Sequence, residues 1–70
     1  MPNRRLKLKA FRVMKGLSQQ EMAEELNCSR GRYAGIESGR RDGTHEFWQT
    51  LQNTFEISDS EMWGLMKEEE

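Results

Sequence analysis

Four arginines, Arg30, Arg32, Arg40 and Arg41, sit on and just after one short segment of this chain, with Ser29 and Ser38 at its two ends and Gly31 and Gly35 inside it. A guanidinium carries a planar fork of N–H donors. It matches guanine O6 and N7 in the major groove of DNA, or two oxygens of one phosphate. Arg30 and Arg32 lie two residues apart, about 200° around a helix. They cannot address the same base, so Arg32 is expected at a phosphate or in solvent. Glycines at 31 and 35 cost helix stability, about 1 kcal/mol each relative to alanine. Either they allow close approach to another surface, so that Arg30 and Arg32 reach further, or they are neutral drift.

Other chemistry is thin. His45 is the single histidine and Cys28 the single cysteine. No set of His, Cys and carboxylates has metal-ligand spacing, and no nucleophile is paired with a base. The glycine-rich GRGRYAG follows a helix turn, not the strand that precedes a phosphate-cradling loop. The sequence therefore predicts no catalytic residue, no metal, no cofactor and no small-molecule ligand. One cysteine makes no internal disulfide, which suits a reducing cytosol.

The arginines must be positioned by helices, and the start signals are explicit. Ser18 and Glu21 form a capping box, with Leu17 and Met22 spaced as a hydrophobic staple around it. Met22, Ala23 and Leu26 follow at helical spacing, with Glu24 and Glu25 on the other face. Asn27 tolerates the left-handed conformation that a tight turn needs. Ser29 caps the next helix, Tyr33 and Ile36 face inward, and Gly39 supplies the stop. Thr44 caps a further helix with Trp48, Leu51 and Phe55 on one side. Ser58 and Glu61 predict a second full capping box, with Ile57 stapled to Met62. The predicted helices cover about 7–15, 19–26, 30–38 and 44–55, with a fifth from Ser58. In the first, Leu8 and Phe11 face the core, and Lys9, Arg12 and Lys15 face solvent.

Composition sets the scale. Seventy residues, 34% hydrophobic and 33% charged, predict a single domain over 1–70 with a small core worth only about 3–5 kcal/mol. Residues 1–5, with Arg4 and Arg5, read as a flexible arm or a frayed terminus, and 67–70 as a frayed acidic tail. The basic start has no apolar run long enough for a secretory signal, and no segment can cross a bilayer. Its alternation of basic and apolar residues fits a core-facing helix better than a membrane-surface one, so no membrane partner is expected. Residues 1–41 carry ten Lys and Arg against four acids, a charge of +6, and residues 42–70 carry one Lys against eight acids, a charge of −7. The net −1 hides a basic half and an acidic half. The basic half is suited to phosphate, and the acidic half doubles as a solvated face.

Leu17-Ser18-Gln19, Glu21-Met22-Ala23, Leu26-Asn27-Cys28-Ser29, Tyr33, Ile36-Glu37 and Gly39 together resemble the Cro/repressor-type, or XRE, helix-turn-helix family. The family's usual turn glycine is Asn27 here, and glycine at 31 and 35 is unusual. The resemblance spans roughly residues 6–66. It implies an all-α, compact five-helix bundle whose third helix enters the major groove of double-stranded DNA while the second crosses the backbone. It implies base reading by Ser29, Arg30, Gly31 and Gly35, and a phosphate contact by Gln19 at the start of the second helix. Ser38, Arg40 and Arg41 follow as backbone contacts or a solvated basic loop. It also implies a half-buried ring at His45 and a small buried side chain at Cys28.

Met62, Trp63, Leu65 and Met66 make the last helix apolar over a wider arc than one small core can cover. Trp63 and Met66 are then either the interface of a homodimer on a palindromic site or extra core against the first helix. The function implied is a sequence-specific transcriptional regulator, a small phage- or mobile-element-type repressor and not an enzyme. The alternative is a protein-interaction module on the same scaffold, such as an antitoxin or anti-repressor, using the acidic half and Trp63.

Overall fold

In the computed structural model, which describes residues 4–67, the serine signals do what their spacing predicts. The Glu21 N–H donates to Ser18 Oγ at 3.0 Å while the Ser18 N–H donates to Glu21 Oε1 at 2.9 Å. That closed box starts α2, Gln19–Glu25. Ser29 Oγ accepts from the Arg32 N–H at 3.1 Å and starts α3, Arg30–Glu37. Thr44 caps α4, His45–Phe55. α1 is Leu6–Met14 and α5 is Asp59–Met66. Five α-helices and no β-strand are found among the described residues, so the all-α expectation holds.

The second box is only half made. Ser58 Oγ accepts from the Glu61 N–H at 3.3 Å, but the reciprocal bond from the Ser58 N–H is not formed. Asn27 takes the left-handed backbone between α2 and α3, at φ 57°, and Gly39 takes it after α3, at φ 84°. Glu56 takes it after α4, at φ 52°, without a glycine or asparagine to signal it.

α2 and α3 pack on each other, and α1 packs along α5 and against α3. Leu8, Met22, Tyr33, Ile36 and Leu51 are fully buried at the centre, ringed by Leu26, Phe47, Trp48, Ile57, Met62 and Leu65. Phe11 closes one side edge-on against Phe55, with centroids 5.4 Å apart. Cys28 is half-buried, and burial pushes its thiol pKa up. No described helix is long and apolar enough to cross a membrane.

Three expectations are corrected. Arg12 does not face solvent. Its Nε donates to Glu37 Oε2 at 2.9 Å, its Nη2 to Oε1 at 3.2 Å and its Nη1 to the Leu17 carbonyl at 2.8 Å. Gln19 Nε2 adds a bond to Glu37 Oε1 at 3.3 Å, so α1, α2 and α3 meet at one carboxylate. Burial would raise the Glu37 pKa, but hydrogen bonds, chiefly from Arg12, outweigh it and hold the carboxyl below the usual range.

Arg5 is neither arm nor frayed end. It is only 4% exposed, and its guanidinium is bonded to backbone carbonyls of α3, the following loop and α5. Arg4 is exposed, and residues 1–3 lie outside the described residues. His45 is exposed, not half-buried, because it is the first residue of α4 and projects beside the helix start. Of the expected tail, Lys67 is exposed in extended backbone, and 68–70 lie outside the described residues.

Candidate nucleic-acid interface

The first turn of α3 is open. Ser29, Arg30 and Gly31 are exposed, and no atom lies within 4 Å of where a Cβ on Gly31 would stand. Ser29 Oγ accepts from the Arg32 N–H and keeps its own O–H to donate. Arg30 is the one side chain of that turn with a guanidinium fork facing solvent.

One turn further on, the surface changes character. Gly35 is buried, and a Cβ there would lie 2.9 Å from Arg41 Cδ and 3.1 Å from its Nε. The chain reverses at Gly39 and returns over the end of α3. The Arg40 and Arg41 N–H groups both donate to the Gly35 carbonyl, at 2.9 and 3.0 Å. Position 35 therefore presents Arg41, not bare backbone, to the outside.

Ser38 Oγ donates to the same carbonyl at 3.1 Å and accepts from Arg40 Nε at 3.3 Å, which holds that guanidinium beside the helix end. Trp48 Nε1 donates to the Asp42 carbonyl at 3.2 Å from the far side. Gly43, at φ 81°, allows that approach, since a Cβ there would stand 2.9 Å from the same nitrogen.

Arg32 points elsewhere. It is half-buried, and its Nη2 donates to Thr44 Oγ1 at 3.3 Å, on the α4 side of α3. It shares a groove with Cys28 and Glu46 there, away from Arg40.

The other sequence-predicted backbone residues converge. A cleft of about 370 Å³ opens between the start of α1, the start of α2 and the end of α3. Gln19, Ser38 and Arg40 line it together with Arg4 and Lys9. Sequence reasoning missed these last two. Arg4 reaches the cleft because the Arg5 N–H donates to the Glu37 carbonyl at 3.0 Å, a pairing across more than thirty residues with no local signature. Glu37 also lines the cleft, but its carboxylate is neutralised by Arg12. The result is a cationic, donor-rich cleft at the end of the helix whose first turn is open, suited to a phosphate backbone.

The surface of α4 and α5 is acidic and apolar. Glu46 sits in the first turn of α4, and Asp59 and Glu61 in that of α5. Trp63 is 76% exposed and Met66 is 37% exposed. Trp63 is therefore not core. His45, Trp48, Asp59 and Met62 join both in a shallow groove between α4 and α5. Among the described residues no three His, Cys, Asp or Glu side chains are grouped to hold a metal ion.

A family model described as helix-turn-helix matches residues 8–61. That span runs from the first buried residue of α1 to the first turn of α5 and includes α2, Asn27 and α3 whole. No curated protein and no solved structure matches the chain.

Proposed function

The chain belongs to the helix-turn-helix family of the Cro/repressor type, and from that premise we propose that it is a sequence-specific DNA-binding transcriptional repressor of the small phage or mobile-element kind. α3 enters the major groove, with Arg30 forking onto a guanine and Ser29 and Gly31 beside it at base edges. Gly35 contributes by seating Arg41 over the helix. Arg40, Arg41, Ser38 and Gln19 hold phosphates on the cleft side, joined by Arg4 and Lys9. Arg32 supports the opposite strand from its seat on Thr44. The observation that carries this reading is the pairing of an exposed Arg30–Gly31 turn at the start of α3 with a cationic cleft at the end of the same helix.

Two copies complete the regulator. One such domain reads few base pairs, so specificity calls for two half-sites about 34–36 Å apart on a palindrome. Trp63 and Met66 on α5 are the exposed apolar surface for that homodimer.

The test is a titration on random duplex across a salt series. With about five phosphates neutralised per protomer, log K against log salt has a slope near −4 to −5 per protomer. Binding that is absent or independent of salt removes this reading. It promotes a protein-interaction module, of the antitoxin or anti-repressor kind, built on the Trp63 surface.

A further inference from the structure

We propose that Arg5 is a positioning residue for the DNA-facing loop and acts through Arg41; this rests on the DNA reading above. The Arg5 guanidinium sits where three parts of the fold meet. Nη1 donates to the Ile36 and Arg41 carbonyls, both at 2.7 Å, Nη2 to the Asp42 carbonyl at 3.2 Å, and Nε to the Met66 carbonyl at 3.0 Å. Its Cζ lies 5.3 Å from the centroid of the Trp48 ring, and Trp48 itself donates to the Asp42 carbonyl.

Arg41 is thereby fixed from two sides. Its N–H donates to the Gly35 carbonyl at 3.0 Å, while its carbonyl accepts from Arg5. With both main-chain groups tied, the loop presents the exposed Arg41 side chain against Gly35. A loop ordered before binding does not pay its ordering entropy when the phosphate arrives. Lysine cannot replace this arrangement. An ammonium has three donors on a flexible stem, where the planar fork reaches four carbonyls at fixed angles.

The experiment compares wild type, Arg5→Lys, Arg41→Ala and the double variant at a temperature where each melt shows a folded chain. The expected result is a random-duplex salt slope about one unit shallower for Arg5→Lys. Arg41→Ala then removes little more in the Arg5→Lys background than Arg5→Lys removes alone. Amide hydrogen exchange without DNA gives the second readout. The Arg40 and Arg41 amides exchange at least about ten-fold faster in Arg5→Lys while those of Met22 and Leu51 keep their protection. An unchanged slope with additive losses overturns the assignment. So does exchange that rises across every amide, or an Arg5→Lys chain that does not fold, since either makes Arg5 a general structural residue. If wild type binds no duplex yet the exchange at 40 and 41 rises selectively, the DNA reading fails and the positioning of the loop stands.

Discussion

Arg41 Cδ lies 2.9 Å from the place a Cβ on Gly35 would take, so the glycine in α3 makes room for an arginine that arrives from the loop. Gly31, one turn earlier, has nothing near it. The two glycines therefore have different reasons, although the sequence presents them as a pair.

Alanine separates them. Gly31→Ala gains about 1 kcal/mol of helix propensity with no clash, and it weakens binding to the cognate site if the groove needs the bare backbone. Gly35→Ala gains the same propensity but displaces a flexible side chain, so its melt moves by no more than about 1 kcal/mol. Its affinity falls on every duplex, because Arg41 leaves its seat. Thermal melts and titrations on two duplexes check both. Full affinity in Gly31→Ala would mark that glycine as drift.

Among the described residues Arg12 and Glu37 form an ion pair at 2.9 Å with both side chains largely out of water. Arg12→Met leaves a buried carboxylate unpaired and costs about 3–5 kcal/mol, which is comparable to the whole stability of so small a core. Replacing both, as Arg12→Met with Glu37→Leu, recovers most of that loss. Denaturant melts of the two variants give the comparison, and a double variant as unstable as the single one contradicts it.

The same pair sets the acid behaviour. Glu37 is held below its ordinary 4.5 despite burial, by hydrogen bonds chiefly from Arg12. A carboxyl depressed in the folded state lends stability that is complete above its unfolded value and is lost as pH falls through the folded one. Melting temperature is expected to be level above about pH 5 and to fall progressively below the ordinary carboxylate value. Glu21, held low by the backbone N–H of Ser18, titrates in the same direction at the surface. The Arg12→Met, Glu37→Leu chain should lose less on acidification, and an equal loss would remove Glu37 as the cause.

Trp63 is predicted to be expendable for folding. At 76% exposure, Trp63→Ala changes stability by less than about 0.5 kcal/mol, far from the roughly 3–5 kcal/mol of a core tryptophan. Sedimentation should show weaker self-association, and binding to paired half-sites should lose cooperativity while a single half-site is bound as before. A Trp63→Ala chain that associates as strongly as wild type takes the dimer away from α5.

What was legible in the sequence was local. Ser18 with Glu21, Ser29, Thr44 and Ser58 start helices through bonds spanning three residues, and Asn27 and Gly39 end them through their own backbone angles. The charged residues were misread because a lone Arg in sequence carries no mark of its partner. Arg12 meets Glu37 across 25 positions and Arg5 meets Met66 across 61. Both bury a charge that alternation assigns to water. Glu56 had no turn residue to announce its left-handed backbone. The site was half legible for the same reason: Arg30 and Gly31 belong to one helical turn, whereas Arg4, Lys9, Gln19 and Arg40 become neighbours only through the packing of α1, α2 and α3.

The central claim is that α3 reads bases through Arg30. The measurement that tests it most directly is the ratio of affinities for a site selected from a random library and for random duplex, taken for wild type and for Arg30→Ala at one salt concentration. The account predicts that Arg30→Ala lowers that ratio by an amount corresponding to roughly 1–3 kcal/mol, with random-duplex affinity changing far less. Equal losses on both duplexes would contradict it and reduce Arg30 to one more contact with the phosphate backbone.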